Sequence, residues 1–172
     1  MDQRSGIERL NALPPDEIKQ QFLNCCGSQN WARQMTQKRP FASLEQLLKT
    51  ADDVWWSLDQ ADWLEAFSSH PKIGERKAAT HVGAAAQHWS EQEQSSVASA
   101  AADTRKELAD LNEAYVRKFG YIYIVCASGK NSEEMLAILK GRIDNAPSEE
   151  LRIAAAQQAQ ITKLRLQKLV EQ

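Results

Sequence analysis

The chain lacks most of the features that announce a function by themselves. No apolar run approaches the ~20 residues needed to cross a bilayer, so no membrane span is expected. Neither sign of charge dominates: 21 Lys and Arg are interspersed with 23 Asp and Glu, for a net charge of -2. The basic footprint of a nucleic-acid partner is therefore absent. Cysteine is scarce, with Cys25, Cys26 and Cys126 only and no Cys-x-x-Cys pair, which argues against a disulfide framework. The polar start Met1-Asp2-Gln3-Arg4 has no signal-peptide core, and Leu169-Val170-Glu171-Gln172 is not a Ser-Lys-Leu address. Reduced thiols in the cytoplasm are the expectation. There is no Gly-rich phosphate loop, no Gly-x-Ser-x-Gly elbow and no Cys–His signature. His70, His81 and His88, taken with Glu75, are spaced unlike any compact metal motif, so no metal is expected.

What is present is a succession of helix signals. Apolar residues make up 42% and charged ones 26% of the 172 residues, enough for one domain, 1–172, with a core of its own. Pro14 and Pro15 before Asp16-Glu17 make a helix start that Gly27 stops. Trp31 and Met35 share a face, and Ser43-Leu44-Glu45-Gln46 is a capping box ahead of Leu47, Leu48 and Ala51. Trp63, Leu64 and Phe67 predict a helix ending at Ser69, since Pro71 follows closely. From His70 to Trp89 the periodicity is lost, and so long a loop in a compact domain points to function. Ser90 should reopen helix along a stripe from Val97 through Leu108, Tyr115 and Phe119 to Gly120, with a break near Asp103 as a second N-cap. The last helices should start at about Ser132 and Ser148. Tyr121 to Ala127 is the exception, a strand-like run with no second run to pair with. Its peptide groups would need other partners. The expectation is all-α: a compact single-domain bundle of about seven or eight helices with one extended segment over residues 121–127.

Four residues stand out chemically. His70 titrates near neutrality and precedes a proline that restricts its backbone, yet a histidine at a helix end also suits the helix dipole. Glu93 completes a second capping box with Ser90, Ser90-Glu91-Gln92-Glu93, so capping and ligand binding compete for one carboxylate. Arg165 and Arg142 lie on or near apolar helix faces. Each either snorkels outward, forms an internal ion pair, or meets an anion in a partly buried site.

These segments, in order, resemble the OHCU (2-oxo-4-hydroxy-4-carboxy-5-ureidoimidazoline) decarboxylase family. The elements are Ala66-Phe67 leading to His70-Pro71-Lys72-Ile73-Gly74-Glu75, Trp89 to Gln94, and Leu111-Asn112-Glu113-Ala114-Tyr115. They continue through Phe119-Gly120-Tyr121, Ile124-Val125-Cys126-Ala127, Arg142-Ile143-Asp144-Asn145 and Ile161 to Leu166, so nearly the whole chain takes part. The resemblance implies an all-helical homodimer without metal or organic cofactor that decarboxylates OHCU to (S)-allantoin in urate breakdown. It implies His70 as the catalytic histidine; Glu93 is the second candidate catalytic residue, whose carboxylate is expected on chemical grounds to accept ring or ureido N–H bonds. Pro71, Ser90, Glu91, Gln92, Glu93 and Gln94, together with Tyr123, Ile124, Val125, Cys126 and Ala127, match the substrate-contacting segments, and Arg165 matches a functional arginine. The alternative is a non-catalytic helical module that binds a purine-derived ureido ligand.

Overall fold

A computed structural model describes residues 2–73, 83–93 and 101–172. Among them are nine helices: α1 (Gln3–Ala12), α2 (Pro15–Cys25), α3 (Gln29–Gln37), α4 (Leu44–Ser57), α5 (Gln60–Ser68), α6 (Ala84–Glu93), α7 (Ala102–Phe119), α8 (Ser132–Arg142) and α9 (Pro147–Glu171). No strand occurs among the described residues. The protein is thus all-α, with slightly more helices than the seven or eight expected, because α1 carries too few large apolar residues to announce itself. The chain divides into two compact units, Met1–Ala66 with Ala159–Gln172, and Phe67–Gln158. Helices α5 and α9 contribute residues to both.

The first unit is built on aromatic packing. α2 carries Ile18 and Phe22 on one face, α3 carries Trp31 and Met35 on another, and all four are fully buried. Phe22 meets Trp31 edge-on at 5.9 Å between ring centres, an arrangement the ring quadrupoles favour. Helix ends are closed as the local sequence directs. Ser28 and Ser43 accept the N–H groups of Trp31 and Gln46. Gln46 reaches back to the N–H of Ala42, one residue earlier than in a strict capping box. Arg39 Nη1 donates to the carbonyls of Leu10, Asn11 and Leu13, supplying partners that the end of α1 would otherwise lack. Gly6 of α1 lies directly against the Val170 carbonyl near the end of α9.

In the second unit, Leu108, Tyr115, Tyr123, Val125, Ala127, Met135, Leu136 and Leu139 form the core. α7 ends where Gly120 takes the left-handed conformation (φ 83°) that a glycine adopts without strain. Asn131 and Glu134 form a full capping box on α8.

Two helix starts differ from the sequence reading. Ser90 opens no helix; it is buried inside α6, which begins at Ala84. The run Ala84-Ala85-Ala86 has the highest helix propensity available, but no large apolar side chains to register as periodicity. Asp103 is not the N-cap of α7 either; Ala101 holds that position, and Asp103 sits in the first turn, where its charge complements the dipole.

Gly6→Ala should destabilise the fold by about 1–3 kcal/mol, because the added methyl overlaps a backbone carbonyl rather than a movable side chain. Urea unfolding of the variant checks this, and an unchanged midpoint would contradict the packing of α1 on α9.

Candidate active site

The extended run Tyr121–Ala127 crosses the second unit with no strand beside it among the described residues. Side chains supply much of its backbone pairing. Arg142 Nη1 donates to the carbonyl of Ile124 at 2.7 Å, and the Cys126 N–H donates to Gln157 Oε1 at 2.8 Å. Lys130 Nζ donates to the carbonyl of Cys126 at 2.9 Å. Tyr123 to Ala127 are all buried, as a run flanked by helices must be.

Arg142 is held by a buried carboxylate. Its Nε donates to Glu150 Oε1 at 2.7 Å, while Tyr115 Oη donates to the same oxygen at 2.6 Å and Asn145 Nδ2 to Oε2 at 3.0 Å. The guanidinium also lies over the ring of Tyr123, 4.9 Å from its centre. Burial opposes the charge on Arg142, but the hydrogen bond and attraction of Glu150 outweigh it and raise its pKa further. Of the roles open to Arg142, the internal ion pair is the one adopted.

His70 leaves α5 with its N–H on the Phe67 carbonyl, and the buried Pro71 follows. Its Nε2 lies 2.6 Å from Oε1 of Gln158, a residue of α9 with no solvent exposure. Glu93 is half-buried at the last described residue of α6. The competition with capping is resolved: the Ser90 N–H lies within a helix, so Glu93 has no N-cap to serve. Ser90 is buried on the same helix, whereas Glu91 and Gln92 are exposed. Gln94, Gly74, Glu75 and His81 lie outside the described residues.

In the first unit, Arg165 is buried and does not snorkel. Its Nη1 donates to the Asn24 carbonyl at 3.1 Å, in the last turn of α2, where carbonyls lack helical partners. The neighbouring Cys26 thiol is pushed up to about 12 by burial, against the smaller opposing effects of hydrogen bonds and of Arg165, and so stays protonated. A thiol in that state is no nucleophile. Among the described residues no group of three His, Cys, Asp or Glu is placed to hold a metal ion, and no helix is long and apolar enough to cross a membrane.

Three residues escaped the sequence reading: Glu150, Gln157 and Gln158. A signal existed. Glu150, Ala154, Gln158, Thr162 and Arg165 recur at helical spacing along α9 and are all buried. Polar residues so spaced in the middle of an apolar stripe mark satisfied, positioned groups rather than surface.

An imidazole and an extended backbone run, each bonded to side chains of one long helix, define a class: an all-α protein that offers its chemistry from a helical scaffold. A family model described as OHCU decarboxylase matches residues 11–167, and the chain belongs to that family. It is 42% identical over 146 residues to the uric acid degradation bifunctional protein of Arabidopsis thaliana, a match covering 84% of this chain and 45% of that protein. The chain therefore corresponds to less than half of that relative. It is also 30% identical to the 2-oxo-4-hydroxy-4-carboxy-5-ureidoimidazoline decarboxylase of Amia calva, covering 96% of this chain and 94% of that one. A crystal structure of OHCU decarboxylase in the presence of (S)-allantoin superimposes with a TM-score of 0.77 and 39% identity, over 89% of this chain and 99% of that one.

Two outcomes follow from these environments. Arg142→Met leaves Glu150 buried without its cation and should cost about 3–5 kcal/mol, whereas Arg142→Met with Glu150→Leu should regain much of it. Chemical denaturation of the two variants tests this, and equal stabilities would contradict the pairing. Alkali should also unfold the protein. Burial raises the pKa values of Cys26, Tyr115 and Tyr123, and the bond to Glu150 raises that of Tyr115 further. Their folded values exceed the ordinary 9.0 and 10.0, so this stability is complete below pH 9 and is lost as pH rises through 10 and above. Thermal melts should be flat from about pH 7 to 8.5 and fall steadily above about pH 10.

Proposed function

We propose that this chain decarboxylates OHCU to (S)-allantoin in urate degradation, with His70 as its acid–base group. The observation that carries the reading is the held imidazole of His70. It stands at a helix exit before Pro71, inside the span matched by the OHCU decarboxylase family model. The superposition on a decarboxylase solved in the presence of (S)-allantoin supports the same reading.

The chemistry suits these residue types. When the bond to the carboxylate breaks, CO2 leaves and the electron pair passes into the substrate's own conjugated C=N group. A proton then adds to that carbon from one face, which sets the configuration of the product. The protein's tasks are to turn the carboxylate out of the ring plane, stabilise developing charge and deliver the proton. In this reading His70 exchanges the proton, and Glu93, with Pro71 and the Ser90–Gln94 stretch, receives the ring and ureido N–H groups. Backbone groups of Tyr123–Ala127 read the urea-like edge. Arg165 is assigned to a carboxylate or carbonyl oxygen of the substrate by the family resemblance. The homodimer and the cytoplasmic setting belong to the same reading.

His70→Asn should abolish enzymatic turnover while leaving helicity unchanged. The measurement uses OHCU freshly generated from urate and follows optical activity, because uncatalysed decay gives racemic allantoin. Optically pure (S)-allantoin at near-normal rate from the variant would sink the assignment. The alternative, a binding module for a ureido ligand, predicts affinity for (S)-allantoin with only racemic product from the unmodified protein.

A further inference from the structure

We infer that Gln158 is the positioning residue of His70, holding its imidazole in one orientation and one neutral tautomer; this rests on the reading of His70 given above. Gln158 Oε1 lies 2.6 Å from His70 Nε2. An amide oxygen only accepts, so Nε2 must carry a proton, and the lone pair of the neutral ring falls on Nδ1. The bond also restrains rotation of the ring about its χ2 axis.

The choice of partner matters as much as its place. A carboxylate at this distance would favour the imidazolium and hold the histidine in one protonation state. A neutral amide orients the ring without placing a charge beside it. Gln158 is fully buried, and a long polar side chain in that setting is costly unless its hydrogen bonds are made.

The next residue extends the device. Successive residues point about 100° apart around a helix, so Gln157 faces a different direction and accepts from the Cys126 N–H at 2.8 Å. One turn of α9 thus sets both the imidazole and the extended run, the two elements to which the proposed function assigns proton transfer and substrate reading. No catalytic part is assigned to either glutamine; both act through what they hold.

The test compares Gln158→Leu and Gln158→Glu in the full chain. Long-range 1H–15N spectra of the imidazole, assigned by the signal lost in His70→Asn, should show a slowly exchanging proton on Nε2 in the unmodified protein. Gln158→Leu should lose that signal and lower kcat by about 10- to 100-fold with little change in KM, a part of the roughly 10²–10⁴-fold that a placed acid–base group supplies. Gln158→Glu should keep the signal and move the pH dependence of kcat upward, because the new carboxylate favours the imidazolium. Should the leucine variant fail to fold, as judged by circular dichroism, Gln158→Met is the second acceptor-free variant. The inference is overturned by a proton on Nδ1 with Nε2 bare, by unchanged kcat in the acceptor-free variants, or by equal losses in Leu and Glu variants with the Nε2–H signal intact. Failure of the underlying reading would appear elsewhere, as (S)-allantoin formation surviving in His70→Asn.

Discussion

An extended run of backbone with no strand beside it among the described residues is the constraint on which the second unit is built. Buried peptide groups must be paired, and an unpaired one costs about 1–3 kcal/mol. Here side chains from α8, α9 and the turn before α8 take up that duty at Ile124 and Cys126. Arg142 can reach the Ile124 carbonyl only because Glu150 neutralises it, and Glu150 can be buried only because Arg142, Tyr115 and Asn145 all donate to it. None of these groups is tolerable in the interior alone. They hold the segment because they need one another.

The same logic sets the candidate site. Helices consume their own peptide groups, so an all-α protein has few backbone donors and acceptors to offer a polar ligand. A short run of non-helical backbone, carried inside the core by side chains, restores that capacity. His70 stands just outside a helix for a related reason. Its position between Phe67 and Pro71 ends α5 and frees the side chain to turn toward Gln158. Gln158 is fully buried, so the amide oxygen facing the ring has more influence over it than it would at a surface.

Much of the fold was legible because its signals are local. Prolines at Pro14–Pro15, the serine at Ser43, the glycine at Gly120 and the Trp31–Met35 spacing each report on one or two turns of helix, and the structure places helix boundaries or buried faces there. The extended run was legible for the same reason, through its β-branched and aromatic composition. Ser90 misled because the local pattern Ser-x-x-Glu is equally at home inside a helix once an alanine run has already started one. α1 escaped because helix propensity without a strong apolar stripe is a weak signal. Of the candidate site, His70 was visible by its residue type and its proline. Gln158 was not, because a glutamine in a helix sequence looks like surface until its partner 88 residues away is brought to it.

By itself the sequence determined what depends on neighbours in the chain: the helical class, the punctuation between helices, the one extended segment and the ordered motifs of the OHCU decarboxylase family. Only the tertiary structure decided what depends on residues far apart. It chose an internal ion pair for Arg142, a buried place on the end of α2 for Arg165, and a neutral amide as the companion of His70. The physical reason is that a polar side chain's role is set by which partner satisfies it after burial, and burial is a property of the fold rather than of the local sequence.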